Sequence, residues 1–381
     1  MVKLKKKKIL HFVPAIVFLV FIFAMGLLFV FLPKNSYSEN EKRYLAEFPK
    51  TSAENIFFGD FDTDFETYMS DHVAGRDFFV GLNAYYELNS GRNGSNGVYQ
   101  CSDNYLINDP VERENNLESN LNIFSEFSKA NNLNTNLMII PSTGCIMSDK
   151  LPKNHKEYRD EEYFKTIEKN CGDMNFINVL DTFKTAAKGG DQIYYRTDHH
   201  WTTPGAYLGY LLYCENAGLA QTAENAFVKT ETGGFYGTTY STSGLWNTPA
   251  DSIEFWENRS NLDAVSVTIT EGDKVTENNS YFFMSHLEEK DKYPTFLDGN
   301  HAFVEIKNKN AKGGKLLLIK DSFAHAMAPF LSENYSDIIM IDLRYYKKTV
   351  SDIVKQYEIK DCLVLYSIDN FATDTDVAFL E

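Results

Sequence analysis

Two short segments of the chain carry the residue types of a serine-based acyl-transfer site. One contains Asp198 and His200 with a single residue between them, and the other contains Ser322 after an apolar run. In an extended segment, side chains two residues apart point to the same side. The carboxylate can therefore orient the imidazole, and the imidazole can take a proton from a serine hydroxyl. The residue types indicate a triad of Asp198, His200 and Ser322.

The elements around Ser322 favour this interpretation. A strand is predicted over residues 315–320 and a helix over 323–332. Open α/β sheets bind ligands at the carboxyl ends of their strands. The first turn of a helix also offers free N–H groups and a positive dipole end, which suit an oxyanion. From these residues alone, two simpler readings stay open: the serine segment is a helix cap, and the acid–histidine segment is a polar loop.

The wider pattern predicts an α/β protein. The last part of the chain alternates strand and helix from residue 315 to 366, which favours a parallel sheet with flanking helices. Residues 225–310 are rich in Gly, Thr, Ser and aromatic residues and are predicted as a β-rich insertion. The other predicted helices are 61–88, 115–131, 161–169 and 204–217. The other predicted strands are 137–140, 176–180, 193–195, 265–269, 281–284 and 302–306.

The N-terminus predicts a membrane anchor. Five lysines between residues 3 and 8 precede an apolar run over residues 9–32, which is long enough to cross a hydrocarbon core of about 30 Å. The lysines predict a cytoplasmic N-terminus and a domain outside the cell membrane. A cleaved signal peptide is the alternative. The predicted domains are a basic tail (1–8), a transmembrane anchor (9–32), a juxtamembrane segment (33–60) and an extracellular domain (61–381).

The charge of the chain and the spacing of its cysteines and histidines argue against a nucleic-acid-binding or metal-binding protein. The net charge is −16, and removing the five N-terminal lysines from 37 basic residues leaves 32 against 53 acidic ones. Such a surface argues against nucleic acid as a partner. The five cysteines show no CxxC motif, and buried thiols are expected. His199 points away from His200 in an extended segment, so neither a metal site nor a cofactor is predicted.

The sequence Tyr-Tyr-Arg-Thr-Asp-His-His-Trp at residues 194–201 resembles the signature of the DHHW family. That family is similar to the alginate O-acetyltransferase group, which has an SGNH-hydrolase-like domain. The first and third residues of the motif correspond to Asp198 and His200, and the later Asp-Ser segment supplies Ser322. This order is the reverse of ordinary SGNH hydrolases. Further family-like stretches lie at 42–46, 150–152, 296–301 and 341–346.

The resemblance implies a membrane-anchored O-acetyltransferase that modifies a cell-surface or secreted polysaccharide through an acetyl-Ser322 intermediate. It also implies a membrane-bound O-acyltransferase as the partner that supplies acetyl groups. The backbone N–H of Ser322 and the side chain of Asn300 are expected at the oxyanion. Trp201, Arg344 and Tyr195 are candidates for substrate contact, with a purely structural role as the alternative for each. A carbohydrate esterase with the same triad and a non-catalytic polysaccharide-binding or assembly protein remain alternative functions.

Overall fold

The computed structural model describes residues 2–38, 43–51, 60–111 and 116–380. It divides into two compact units. The first comprises residues up to Arg92 together with Gly244–Trp246, and the second comprises Asn93–Ser243 with the remainder from Asn247.

The first unit is helical and begins with α1 (Val2–Phe31). Its segment Phe12–Phe31 is one helix of sufficient length and apolarity to cross a membrane, and its side chains are not buried within the protein. The predicted apolar N-terminal segment is therefore a helix, and its length and composition fit either a membrane anchor or a signal sequence. A short ladder pairs β1 (Tyr37–Ser38) with β2 (Arg43–Tyr44). Part of the predicted juxtamembrane segment lies outside the described residues.

The predicted helix over 61–88 is two helices, α2 (Asp60–His72) and α3 (Arg76–Asn89). The break lies at Gly75, whose φ of 71° is in the left-handed region that glycine adopts without a steric cost. Apolar periodicity continues through the break, which is why the sequence pattern alone predicts one helix.

The second unit contains most of the chain. Its strands are β3 (Gly94–Ser95), β4 (Val98–Gln100), β5 (Leu106–Asn108), β6 (Asn134–Ile140), β7 (Asn175–Ile177), β8 (Phe227–Phe235), β9 (Asp251–Asn258), β10 (Val265–Glu271), β11 (Lys274–Asn278), β12 (Phe303–Asn308), β13 (Gly313–Lys320), β14 (Tyr335–Ile341) and β15 (Asp361–Ser367). Its helices are α4 (Leu117–Ala130), α5 (Thr143–Ile146), α6 (Asp160–Asn170), α7 (Leu180–Gly189), α8 (Thr203–Ala217), α9 (Thr238–Ser243), α10 (Ala324–Leu331), α11 (Val350–Tyr357) and α12 (Ile368–Thr373).

An eight-stranded sheet forms the centre of this unit, in the order β11-β10-β12-β14-β13-β15-β6-β7. The strands from β14 to β7 in this order are parallel, and β12, β10 and β11 add an antiparallel edge. The predicted α/β class with a mostly parallel sheet is therefore confirmed. Residues 316–319 of β13 are fully buried, as expected for an apolar strand covered on both faces.

The β-rich region 225–310 is shared between two sheets. Strands β8 and β9 pair with each other alone, whereas β10, β11 and β12 extend the central sheet. The predicted strand at 281–284 is wrong, because this stretch forms only an isolated bridge between Phe282 and Phe296 and then a 3₁₀ turn. The predicted strand at 193–195 is likewise reduced to a bridge between Tyr194 and Trp201.

Candidate active site

Ser322 lies in the turn between β13 and α10, at the carboxyl end of the central parallel strand. The preceding carboxylate holds this turn in place. Asp321 accepts hydrogen bonds from the backbone N–H of Phe323 (3.0 Å), the N–H and hydroxyl of Ser367 (both 2.8 Å) and the amide of Asn370 (2.8 Å). Asp321 therefore joins the ends of two neighbouring strands, and it leaves the Ser322 side chain to other partners.

His200 connects Ser322 to Asp198. Its Nε2 lies 2.7 Å from Ser322 Oγ, and its Nδ1 is hydrogen-bonded to Asp198 Oδ1. A carboxylate only accepts hydrogen bonds, so Nδ1 carries the ring proton. The Nε2 lone pair of neutral His200 then faces the serine hydroxyl, which is the arrangement of a general base and its nucleophile. All three side chains are buried.

Asp198 is fixed independently of the histidine ring. Its Oδ1 also accepts from the backbone N–H of His200 at 2.9 Å. Its Oδ2 accepts from the N–H of Thr238 at 2.7 Å and from the Thr238 hydroxyl at 2.9 Å. These contacts give both carboxylate oxygens hydrogen-bond donors, so the carboxylate of Asp198 is satisfied in its buried position.

A second buried carboxylate braces the loop that carries Asp198. Asp251 Oδ2 accepts from the N–H of Arg196 (2.8 Å) and from the N–H and hydroxyl of Thr197 (2.7 and 2.8 Å). Burial raises the pKa of Asp251, while these hydrogen bonds and Arg196 act in the opposite direction. The sequence analysis did not identify Asp251, because it lies far from the motif in the chain.

Tyr293 contacts both members of the proton-transfer pair. Its ring stacks on the His200 imidazole with centroids 3.9 Å apart and an interplanar angle of 12°. Its hydroxyl donates to the backbone carbonyl of Ser322 at 3.0 Å. Tyr293 and Thr238 both come from the region 225–310, where the sequence shows turns and no motif. No local signal in the sequence points to either residue.

Trp201 and Tyr195, which were expected as candidates for substrate contact, are core residues. Trp201 is fully buried, and its indole N–H donates to the carbonyl of Phe323 at 2.9 Å. Tyr195 is also buried, and its ring packs edge-on against Phe235 with centroids 4.9 Å apart. The suggested contact of Trp201 with sugar is therefore corrected, because the indole supports the Ser322 turn from inside.

Arg344 and Asn300 are joined to each other. The Arg344 guanidinium donates to both oxygens of Asp342, at 2.8 and 2.6 Å, and to Asn300 Oδ1 at 3.4 Å. Asn300 is exposed. Within the described parts of the chain, hydrogen bonds do not connect either residue to Ser322 or His200.

A buried cluster of charged and polar side chains surrounds Lys320, the last residue of β13. Lys320 Nζ lies 3.0 Å from Asp342 Oδ2 and 2.8 Å from His325 Nε2. Burial lowers the pKa of Lys320, and its contact with Asp342 acts in the opposite direction. Burial and the neighbouring Lys320 hold the pKa of His325 well below its usual value. The amino group of Lys320 therefore donates a hydrogen bond, and His325 Nε2 accepts it.

The motif also contains a possible set of metal ligands, because ligand atoms of Asp198, His199 and His200 all lie within 4.8 Å of one another. Each has another hydrogen-bonding partner. Both nitrogens of His200 are engaged with Asp198 and Ser322, and His199 Nδ1 lies 2.5 Å from the Thr238 hydroxyl. The donor set therefore fits a proton-transfer network better than metal coordination.

Comparison with known proteins identifies the family. The model of the family described as DHHW protein matches residues 129–341. A DHHW family protein from Eubacterium siraeum is 21% identical, with 75% of this chain and 95% of that chain covered and a TM-score of 0.63. Bacillus cereus PatB1, solved with a sulfonyl adduct, is 22% identical, with coverages of 74% and 98% and a TM-score of 0.65.

A further similarity is to the O-acetyltransferase domain of Pseudomonas putida AlgJ, at 14% identity, coverages of 74% and 98%, and a TM-score of 0.47. A search of curated proteins finds no match. The similarities to PatB1 and to the Eubacterium siraeum protein concern the fold alone. The family model, in contrast, spans more than half of the chain and includes the Asp-His-His-Trp motif. The chain therefore belongs to the DHHW family.

Proposed function

We propose that the protein is a membrane-anchored O-acetyltransferase that esterifies a hydroxyl group of an extracellular polysaccharide through Ser322. The observation that carries this proposal is the contact of His200 Nε2 with Ser322 Oγ at 2.7 Å, with Asp198 on the opposite ring nitrogen. Membership of the DHHW family, whose signature resembles that of the alginate O-acetyltransferase group, supports the choice of acetyl transfer. In this proposal the acetyl group comes from a membrane-bound O-acyltransferase.

The reaction proceeds in two half-reactions. His200 takes the proton of Ser322 Oγ as this oxygen attacks the acetyl carbonyl, and then returns the proton to the leaving oxygen of the donor. A sugar hydroxyl next gives its proton to His200 as its oxygen attacks the acetyl-serine ester. His200 then passes this proton to Ser322 Oγ as the ester bond to serine breaks, which releases the acetylated sugar and restores the triad. Asp198 keeps the ring proton on Nδ1, and the backbone N–H of Ser322 stabilises the oxyanion.

The membrane anchor favours transfer over hydrolysis. A sugar hydroxyl that attacks the acetyl-serine ester gives transfer, and water that attacks the same ester gives hydrolysis, so the triad serves both reactions. The apolar segment Phe12–Phe31 would hold the protein at the membrane, where a partner supplies acetyl groups.

The proposal is tested by measuring the rate at which the full-length protein in detergent releases p-nitrophenol from p-nitrophenyl acetate, the acetyl donor. Ser322→Ala and His200→Ala are each expected to lower the rate by roughly 10³-fold or more, as for other triad residues. Mass spectrometry is expected to find the acetyl group on Ser322, and a sulfonyl fluoride is expected to label the same residue. Ser252→Ala is the matched control, because Ser252 is an exposed serine of β9.

The products distinguish the alternatives. Acetylated oligosaccharide formed from the acetyl-enzyme supports the transferase, whereas release of acetate unaffected by added oligosaccharide supports an esterase. If wild type and Ser322→Ala give equal rates and Ser322 is not labelled, the triad is idle and a polysaccharide-binding or assembly role replaces the proposed function.

A further inference from the structure

A cavity of about 300 Å³ lies next to the triad in the second unit. It is formed where three adjacent parallel strands end. Residues 142–144 follow β6, Phe323 follows Ser322 after β13, and Ser367 closes β15. Ligands of α/β sheets bind beyond the carboxyl ends of parallel strands. The position of this cavity therefore makes it the candidate site for the second substrate.

The cavity shares residues with the triad network. His199 and Phe323, the chain neighbours of His200 and Ser322, both contribute to its wall. Thr238 also lines it, and Thr238 is the residue that donates two hydrogen bonds to Asp198. A molecule in the cavity would consequently lie beside the reacting groups.

The lining offers hydroxyl and amide groups rather than positive charge. In the described part of the chain, its charged residues are Asp109 and Asp369, and neither lysine nor arginine contributes to the wall. Lys156 lies outside the lining and is already paired with Asp109 at 3.1 Å. Proteins usually bind carboxylate or phosphate groups with arginine, lysine or backbone N–H clusters. An anionic sugar would instead meet the Asp369 carboxylate and an Asp109 carboxylate that Lys156 already pairs.

Other features of the wall suit an uncharged carbohydrate. Serine and threonine are frequent in the lining, which contains Ser142, Thr143, Thr238, Thr239, Thr242 and Ser367. The rings of Tyr158 and Phe323 supply apolar surface. Hydroxyl groups combined with aromatic faces match the mixed polar and apolar surface of a sugar ring.

We infer that this cavity is the acceptor site and that it takes an uncharged sugar rather than a uronate or another anionic sugar. This inference rests on the proposed function for the identity of the site. The choice of sugar class rests on the charge of the lining, and binding alone can test it.

The test is calorimetric binding of two matched hexasaccharides to the full-length Ser322→Ala protein in detergent at physiological ionic strength. One is β-1,4-linked glucose, and the other is its C6-oxidised glucuronate counterpart, so the pair differs only in carboxylates. The glucose hexamer is expected to bind at least about tenfold more tightly, because like charges across an interface disfavour the uronate. Equal or tighter binding of the uronate, or no binding of the glucose hexamer at millimolar concentration, would overturn the inference.

A charge variant locates the effect in the cavity. Thr242 is an exposed residue of the lining, and Thr242→Lys is expected to reduce the preference at least about threefold by placing a cation beside the carboxylates. Thr185→Lys makes the same charge change at an exposed position of α7 outside the lining and is expected to keep the preference. An equal effect of both variants would assign the preference to net charge and not to this cavity.

Failure of this inference can be distinguished from failure of the proposed function. Acetylation of Ser322 by p-nitrophenyl acetate does not require a sugar. If acetyl-Ser322 forms and the uronate binds better, the sugar class is wrong and the transferase stands. If the glucose hexamer binds but acetyl-Ser322 never forms, the cavity is a sugar site without transfer chemistry.

Discussion

His200 has hydrogen-bond partners at both ring nitrogens, and this decides which nitrogen holds the proton. Asp198 occupies Nδ1 and Ser322 Oγ occupies Nε2. Rotation of the imidazole would break both of its buried hydrogen bonds, and the bonds from Thr238 keep Asp198 in place as the acceptor for Nδ1. The histidine is thus oriented for proton transfer before any substrate binds.

Asp198→Asn tests the role of the acid. The asparagine oxygen can still accept from Thr238, but its NH₂ group would face His200 Nδ1 and favour the tautomer with the proton on Nε2. The rate with p-nitrophenyl acetate is expected to fall about 10⁴-fold, as when the acid of a serine triad is replaced in this way. Thr238→Val removes only one of the hydrogen bonds to Asp198, and about a tenfold loss is expected. A loss of only about tenfold for Asp198→Asn would mean that the acid does not set the tautomer of His200.

Tyr293 is expected to act as a positioning residue, and two substitutions separate its contacts. Tyr293→Phe keeps the ring on His200 and removes the bond to the Ser322 carbonyl, so kcat should fall roughly threefold to tenfold. Tyr293→Leu removes the stacked ring as well, and a loss of about 100-fold in kcat with little change in KM is expected.

The matched control for Tyr293 is Tyr213→Phe, which removes a buried hydroxyl contact of 2.7 Å with Tyr335. Its stability should fall by about 1 kcal/mol while kcat stays unchanged. A merely structural role for Tyr293 would leave kcat of Tyr293→Leu equally unchanged.

At the scale of secondary-structure elements, the site depends on how neighbouring strand ends are joined. Strand β13 positions Ser322, and the bonds of Asp321 to Ser367 tie it to the end of β15. The loop with Asp198 is fixed differently, by Asp251 from the start of β9. Two buried carboxylates thus position the nucleophile and the base through separate elements.

Asp321→Ala is expected to destabilise the second unit by about 3 kcal/mol or more, because it leaves buried N–H groups of Phe323 and Ser367 without acceptors. Thermal unfolding of the full-length protein, followed by near-ultraviolet circular dichroism, measures this loss. Asp361→Ala is the control, since the bond of Asp361 with Asn134 is exposed. The control should stay within about 0.5 kcal/mol of wild type. Equal effects would mean that Asp321 does not hold the strand ends together.

At the scale of the whole molecule, the proposed function requires the second unit to lie outside the membrane. The apolar segment Phe12–Phe31 and the five preceding lysines are the features that predict this orientation. A partner that supplies acetyl groups at the outer surface would meet the domain there.

Protease treatment of intact bacterial cells that express the doubly tagged protein tests this orientation. A C-terminal tag should be digested and an N-terminal tag protected. Replacing the five lysines with asparagine should lower the digested fraction. A protected C-terminal tag would reverse the topology, and loss of the N-terminal tag with release of the domain would identify a cleaved signal peptide.

Several features follow from the sequence alone. The i, i+2 spacing of Asp198 and His200, the apolar run before Ser322 and the alternation of strands and helices depend on local order along the chain. Local order fixes which side of a segment a residue faces and where an apolar strand must be buried. The α/β class and the apolar N-terminal helix were predictable for this reason. The candidate triad residues were identifiable in the same way.

Only the tertiary structure decided which distant residues support the site. His200 and Ser322 are 122 residues apart, and Tyr293 and Thr238 reach them from the region without a motif. The same packing buries Trp201 and Tyr195, which the sequence pattern could not distinguish from exposed aromatic residues. Contacts between distant segments depend on strand order and on how the loops pack. Strand order here includes an antiparallel edge that local periodicity does not encode.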